Sequence, residues 1–175
     1  DADFVIEAVF EQLGVKKMVF GQLEEVVRPD CILATNTSSL SVAEMAADLA
    51  HPERVVGFHF FNPVALMPLL EIARADKTDD PSLATAFAVG KGLKKSCVLV
   101  ADRPAFVVNR LLNRFLGEIF SCVDEGASFA DADAAVHAMG LPMDPFVLVQ
   151  MVGPAVAQHV AQTLNGHFPD RFHAS

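Results

Sequence analysis

Positive charge is what this chain has least of: 13 Lys and Arg stand against 22 Asp and Glu, a formal net charge of −9. Broad binding to nucleic acid or to an anionic bilayer needs a basic surface, so both are disfavoured. An anionic small ligand is still allowed, because a few local cations or a helix N-terminus can cradle phosphates within an acidic protein. Cysteine is scarce too. Cys31, Cys97 and Cys122 are too scattered for a disulfide framework or a metal knuckle. Cys31 and Cys97 open apolar runs, which predicts buried thiols in a reduced, intracellular protein. No apolar run approaches the roughly 18 residues of a spanning helix, and nothing resembles an export signal. There is no Gly-x-Gly-x-x-Gly, no P-loop and no Gly-x-Ser-x-Gly elbow. His51, His137, His159, His167 and His173 have no supporting ligands at metal spacing, so no metal is expected. Internal repeats and low-complexity tracts are absent as well.

What is present is 175 residues, 52% of them hydrophobic, enough for one ordinary core or one and a half small domains. The chain opens Asp1-Ala2-Asp3-Phe4, without Met, and a strand arrives at once, which reads as the middle of a domain and predicts a fragment. Apolar, β-branched runs at 4–9, 31–35, 55–61, 69–73 and 97–100 predict strands. Helical spacing predicts helices at 16–27, at 41–47 behind a Ser41 cap with Glu44 three positions on, and at about 81–94. Strands alternating with helices argue for an α/β fold with a largely parallel sheet. After Asp102-Arg103-Pro104 the strand signals stop. Helices are predicted at 106–123, at 132–139 opened by Asp131, near 145–153, and from 154 to about 164, with a poorly ordered tail from 165 on. The boundary falls at 101/102, giving an α/β part at 1–101 and a helical part at 102–175.

Four places could carry chemistry. His59 sits near the end of a strand, the edge where ligands collect in open parallel sheets; taken alone, it reads rather as a core imidazole bonded to backbone. Glu71 interrupts a run otherwise fit for a buried strand and needs a donor there. His59 can supply it if a tight connection makes the two strands neighbours, and a His so held has a fixed tautomer and a more basic free nitrogen. The other reading is an edge Glu turned to solvent. Asn36-Thr37-Ser38-Ser39 ends the second strand, either as a plain turn or as donors facing the same crevice. Asn109 lies in the first turns of a long helix, where Asn is a poor choice, or it is simply an exposed amide. Glu11 and Lys16 follow the first strand, and most such charges are merely solvated.

Together, Asn36-Thr37-Ser38-Ser39-Leu40, Gly57-Phe58-His59-Phe60-Phe61-Asn62-Pro63, Leu69-Leu70-Glu71-Ile72 and Pro104-Ala105-Phe106-Val107-Val108-Asn109-Arg110 resemble the 3-hydroxyacyl-CoA dehydrogenase family in order and spacing. Met67-Pro68-Leu69-Leu70 and Gly140-Leu141-Pro142-Met143 look closest to the α-subunits of multifunctional fatty-acid oxidation complexes. The resemblance implies the C-terminal part of a Rossmann-like NAD-binding domain at 1–101, without its glycine-rich first βαβ unit, and a helical C-terminal domain at 102–175. It implies His59 as catalytic base and Glu71 as its orienting partner, with Ser38 and Asn109 bonding the reacting oxygen. Val9, Phe10, Glu11, Lys16, Ser38 and Asn62 match positions lining the NAD site. The implied reaction is NAD-dependent oxidation of a 3-hydroxyacyl-CoA in β-oxidation, with the 175 residues alone expected to be inactive. A homodimer or a thiolase subunit are the implied protein partners, in the cytoplasm of a bacterium or the mitochondrial or peroxisomal matrix of a eukaryote. A non-catalytic structural or assembly protein on the same fold is the alternative. Ala105 departs from the family's usual Gly, Asp144 from a small residue and Gln150 from a common Asp.

Overall fold

Residues 2–141 and 143–172 are described in this computed structural model, and the chain divides into two units, 1–106 and 107–175. In the first, β1 (Phe4–Glu7), β2 (Ile32–Thr35), β3 (Val55–Phe60), β4 (Leu69–Arg74) and β5 (Ser96–Ala101) form one sheet in that order. Helices α1 (Leu13–Val26), α2 (Val42–Ala46) and α3 (Asp80–Gly92) connect them. A parallel pair needs a crossover of a dozen or so residues, and the helices supply it: β1/β2, β2/β3 and β4/β5 are parallel. The connection at 61–68 is too short for one, so β3 and β4 pair antiparallel as a hairpin.

Side chains alternate across this sheet. Leu33, Val55, Ala73 and Val100 pack against Phe20 of α1 and Val42 and Met45 of α2. Ile32, Ala34, Val56, Phe58, Leu70 and Ile72 face Leu83 and Ala86 of α3. Both faces are covered, which is why the central strands read as unbroken apolar runs. By the same alternation Thr35, His59 and Glu71 lie on the α1/α2 face. Gly57 lets α2 close down on that face: an added Cβ would sit 2.6 Å from the Ala73 Cβ and 3.0 Å from Val42 Cγ2.

Several expected boundaries move, each for a local reason. β1 stops at Glu7, not Val9, because the Val9 N–H turns back to the Glu7 carboxylate at 3.1 Å. Helix α1 begins at Leu13, so Lys16 falls in its first turn. The long helix expected from 106 begins at Val108, because Ala105 and Phe106 hold left-handed backbone, φ 59° and 46°. Residues 102–106 therefore stay with the sheet, where Ala105 and Phe106 are fully buried.

The second unit is helical: α4 (Val108–Asp124), α5 (Phe129–His137), α6 (Pro145–Val152) and α7 (Pro154–His167). The amphipathic α4 buries Leu116 and Ile119, and Ile119 joins Ala132 and Val136 of α5 in a small core. Phe146 of α6 packs edge-on to Phe129, ring centres 4.8 Å apart. Ser128 caps α5 by accepting from the Asp131 N–H at 3.1 Å, so Asp131 lies inside the first turn and does not open the helix. The tail departs from expectation: α7 continues through 165–167, and the turn beyond it buries Phe172. His173, Ala174 and Ser175, the rest of that expected tail, lie outside the described residues, as does Pro142 of the Gly140–Met143 motif. The expectation of buried thiols holds for Cys31 only, since Cys97 is half-buried and Cys122 exposed.

Candidate active site

Because β1, β2 and β3 are parallel, their C-terminal ends share one edge of the sheet, and antiparallel β4 begins there. His59 and Glu71 are register partners across β3 and β4, so they face each other on the same side. His59 Nδ1 lies 2.9 Å from Glu71 Oε2, with the residues 6% and 0% exposed. A carboxylate only accepts, so the proton between them belongs to Nδ1, and Nε2 is left as the acceptor. The Phe61 ring centre is 4.5 Å from that of His59 and the Phe106 ring centre 5.8 Å. The imidazole is thus held by one charged bond and two aromatic neighbours.

A second polar group occupies the ends of β1 and β2. The Glu7 carboxylate accepts from Lys16 Nζ at 2.9 and 3.0 Å, and also from the Thr35 hydroxyl. Lys16 is completely buried and donates in addition to the Asn36 carbonyl at 3.2 Å. A buried ammonium needs such partners, and removing one would cost about 3–5 kcal/mol. Expected as a solvated charge or a residue lining the crevice, Lys16 instead lies beneath the strand ends, 3.6 Å from Glu11. Glu11 Oε1 in turn accepts from Thr37 Oγ1 (2.7 Å), the Ser38 N–H (2.8 Å) and the Ser39 N–H (3.2 Å). Burial pushes the Glu11 carboxyl up; the bonds from Thr37 and Ser38, with the Lys16 ammonium, outweigh it and hold it below the usual glutamate range. Asn36 Oδ1 accepts from the Phe60 N–H at 3.2 Å, fastening this loop to β3 next to His59.

The structure brings His59 to Glu71, and Glu11 to Ser38 and Lys16. Val9, Phe10 and Asn62 are exposed, Phe10 at 84%. Asn109 belongs to the other unit, half-buried in the first turn of α4, where its carbonyl accepts from Asn113 Nδ2 at 2.8 Å. Glu7, Asp102 and Phe106 escaped sequence reasoning; Thr37 did not, since it belongs to the polar cluster expected at the end of β2. Glu7 carried the same signal as Glu71, an acid inside an apolar strand. Asp102, lying beyond β5 and bonded to α2, carried none. Among the described residues no cluster of His, Cys, Asp or Glu could hold a metal, and no helix is long and apolar enough to cross a membrane.

The fold and this edge define a dehydrogenase-like α/β unit followed by a helical one, and the family can be stated: the chain belongs to the 3-hydroxyacyl-CoA dehydrogenase family. Residues 1–103 match its NAD binding domain and residues 106–175 its C-terminal domain. The chain is 42% identical over 171 residues to the fatty acid oxidation complex subunit alpha of Psychrobacter arcticus, covering 98% of this chain and 24% of that one. The Acinetobacter baumannii (strain AYE) protein of the same name is 40% identical over the same shares. Among solved structures, M. tuberculosis FadB2 superposes with a TM-score of 0.93 at 39% identity, over 97% of this chain and 61% of that one. The (S)-3-hydroxybutyryl-CoA dehydrogenase PaaH1 of Ralstonia eutropha gives 0.92 at 36% identity, over 95% and 60%. The chain therefore spans about a quarter of the length of those curated relatives.

Proposed function

We propose that this chain is part of an NAD-dependent 3-hydroxyacyl-CoA dehydrogenase of fatty-acid β-oxidation, with the His59–Glu71 pair as general base. The observation that carries the reading is the 2.9 Å bond between His59 Nδ1 and Glu71, which leaves Nε2 as a proton acceptor near the sheet edge where ligands collect. The edge suits a dinucleotide: exposed Val9 and Phe10 offer apolar surface for a flat ring, with the Ser38 hydroxyl and Asn62 amide as polar groups of the kind that orient a ligand. NAD, when bound, supplies the hydride acceptor. His59 Nε2 takes the proton of the substrate 3-hydroxyl as the hydride leaves C3, and Glu71 stabilises the imidazolium formed. Ser38 and Asn109 are assigned to the substrate oxygen, where donors oppose the charge that develops. Val9, Phe10, Glu11, Ser38 and Asn62 are assigned to the dinucleotide, and Lys16 to holding Glu7 and Glu11 in place below it.

The curated relatives are named as subunits of a fatty acid oxidation complex; membership of such an assembly, with a thiolase subunit or a second copy as partner, goes with this reading. A cytoplasmic site in a bacterium goes with it too. The test is reduction of acetoacetyl-CoA by NADH in the full-length protein containing this chain. His59→Ala is expected to lower kcat by about 10²–10⁴-fold, and Glu71→Gln to lower it as well, since a neutral amide cannot stabilise the imidazolium. Wild-type turnover in His59→Ala would remove the mechanism.

A further inference from the structure

Beyond the end of β5 the chain makes a strap over residues 102–106. β5 runs parallel to β4, from Leu69↔Ser96 to Arg74↔Ala101, and so leads away from the edge that holds His59. Asp102, next in sequence, is buried on the α1/α2 face. Its carboxylate accepts from the Ser41 hydroxyl (2.9 Å), the Val42 N–H (3.0 Å) and the Ala43 N–H (2.8 Å), the start of α2. A turn closed by the Phe106 N–H on the Arg103 carbonyl, at 2.9 Å, then sends the chain back. Ala105 and Phe106 follow with φ of 59° and 46°, a region that residues bearing a Cβ enter only when their surroundings compel it. What they achieve is the placement of a fully buried Phe106 ring 5.8 Å from His59, in the core that also holds Val42.

We propose that Asp102 is a positioning residue of the dehydrogenase site: by bonding the strap to the start of α2, it seats Phe106 against His59 and fixes the imidazole relative to the loop that carries Ser38. The proposal rests on the function argued above. The same α2 that Asp102 grips begins three residues after the Glu11-tethered segment 37–39, so one carboxylate joins both sides of the site. Three donors converge on it, two of them backbone amides at a helix start, an arrangement worth more than any single bond. The Phe61 ring cannot substitute for Phe106, because it neighbours His59 from the hairpin that His59 itself enters.

The experiment is steady-state kinetics in the full-length protein, with turnover expressed per folded molecule. Asp102→Ala is expected to lower kcat about 10–100-fold, the scale set by ångström misplacement of a reacting group, with KM for acetoacetyl-CoA and NADH changed less than about threefold. Asp102→Asn, which keeps one oxygen for the Val42 N–H, should recover part of the loss. Phe106→Leu preserves an apolar filler and keeps the test alive if Asp102→Ala does not fold. Combined with Asp102→Asn it should cost no more than the worse single change. Wild-type kcat in folded Asp102→Asn and Phe106→Leu, or a double variant whose losses multiply, overturns the proposal. In that event a dead His59→Ala shows that the general-base reading stands without it, whereas an active His59→Ala removes both.

Discussion

Ala105 and Phe106 hold φ of 59° and 46°, and at Ala105 the energetic terms can be set against one another. An L-residue in the left-handed region costs about 1–2 kcal/mol, which Gly would relieve. Against that, Gly costs about 0.5–1 kcal/mol in chain freedom, and the fully buried methyl is worth about 0.8 kcal/mol. The balance is near zero. Ala34 in β2 is just as buried but has ordinary strand backbone, so its replacement brings no relief. Urea unfolding should find Ala105→Gly within about 0.5 kcal/mol of wild type and Ala34→Gly lower by about 1–2 kcal/mol. Equal losses at the two sites would mean that the strap is unstrained. The same comparison explains what was legible residue by residue. Glu71 stood out because an acid in an apolar strand demands a partner twelve positions away. Glu7 made the same demand and was met by Lys16. The left-handed strap was not legible in its residues, since neither Ala nor Phe favours that backbone; the family resemblance alone marked position 105 as one that usually holds Gly.

At the scale of elements, the short 61–68 connection made β3 and β4 legible as neighbours but not as an antiparallel pair, and that pairing put His59 opposite Glu71. The loop after β2 was legible only as a polar cluster, because its anchor, Glu11, comes from a different connection and no local spacing joins them. That anchor should be sensitive to acid. The Glu11 carboxyl lies below the ordinary glutamate range because the bonds from Thr37 and Ser38 and the Lys16 charge outweigh the effect of burial. For a depressed carboxyl the stabilisation is complete above the unfolded value, about 4.3, and is lost as pH falls through the folded one. The tether therefore holds through mild acid and releases only at a pH below the ordinary glutamate range. The amide resonances of Ser38 and Ser39, both donors to Glu11 Oε1, should titrate together with a midpoint below the usual glutamate value. In Glu11→Gln that transition should vanish. A midpoint at or above the ordinary value would show that burial wins over the hydrogen bonds.

For the whole molecule, the question is where a pyrophosphate could sit. A helix N-terminus is the usual seat, and each of the three helices in the sheet unit already begins beside an acid. Glu11 lies two positions before the first residue of α1, its carboxylate 3.6 Å from Lys16 Nζ in the first turn, Asp102 accepts from the first amides of α2, and Asp79 caps α3 through the Ser82 N–H at 2.8 Å. A carboxylate at each position repels a second anion, and the 175 residues contain no Gly-x-Gly-x-x-Gly turn to provide another seat. NADH binding should therefore require sequence that flanks this chain in the longer relatives. A ligand that binds only the folded state stabilises it by RT ln(1 + [L]/Kd), about 2.7 kcal/mol at a hundredfold excess over Kd. For a protein of 150–250 residues each kcal/mol raises Tm by about 2–4 °C, and for a longer one by somewhat less. Full-length protein is accordingly expected to gain several degrees with saturating NADH, while residues 1–175 alone show no shift at the same concentration. Should the isolated chain gain as much, the dinucleotide would have to be held by the strand ends and the Ser38 loop without any helix N-terminus, and the acids at those three starts would not be the obstacle argued here.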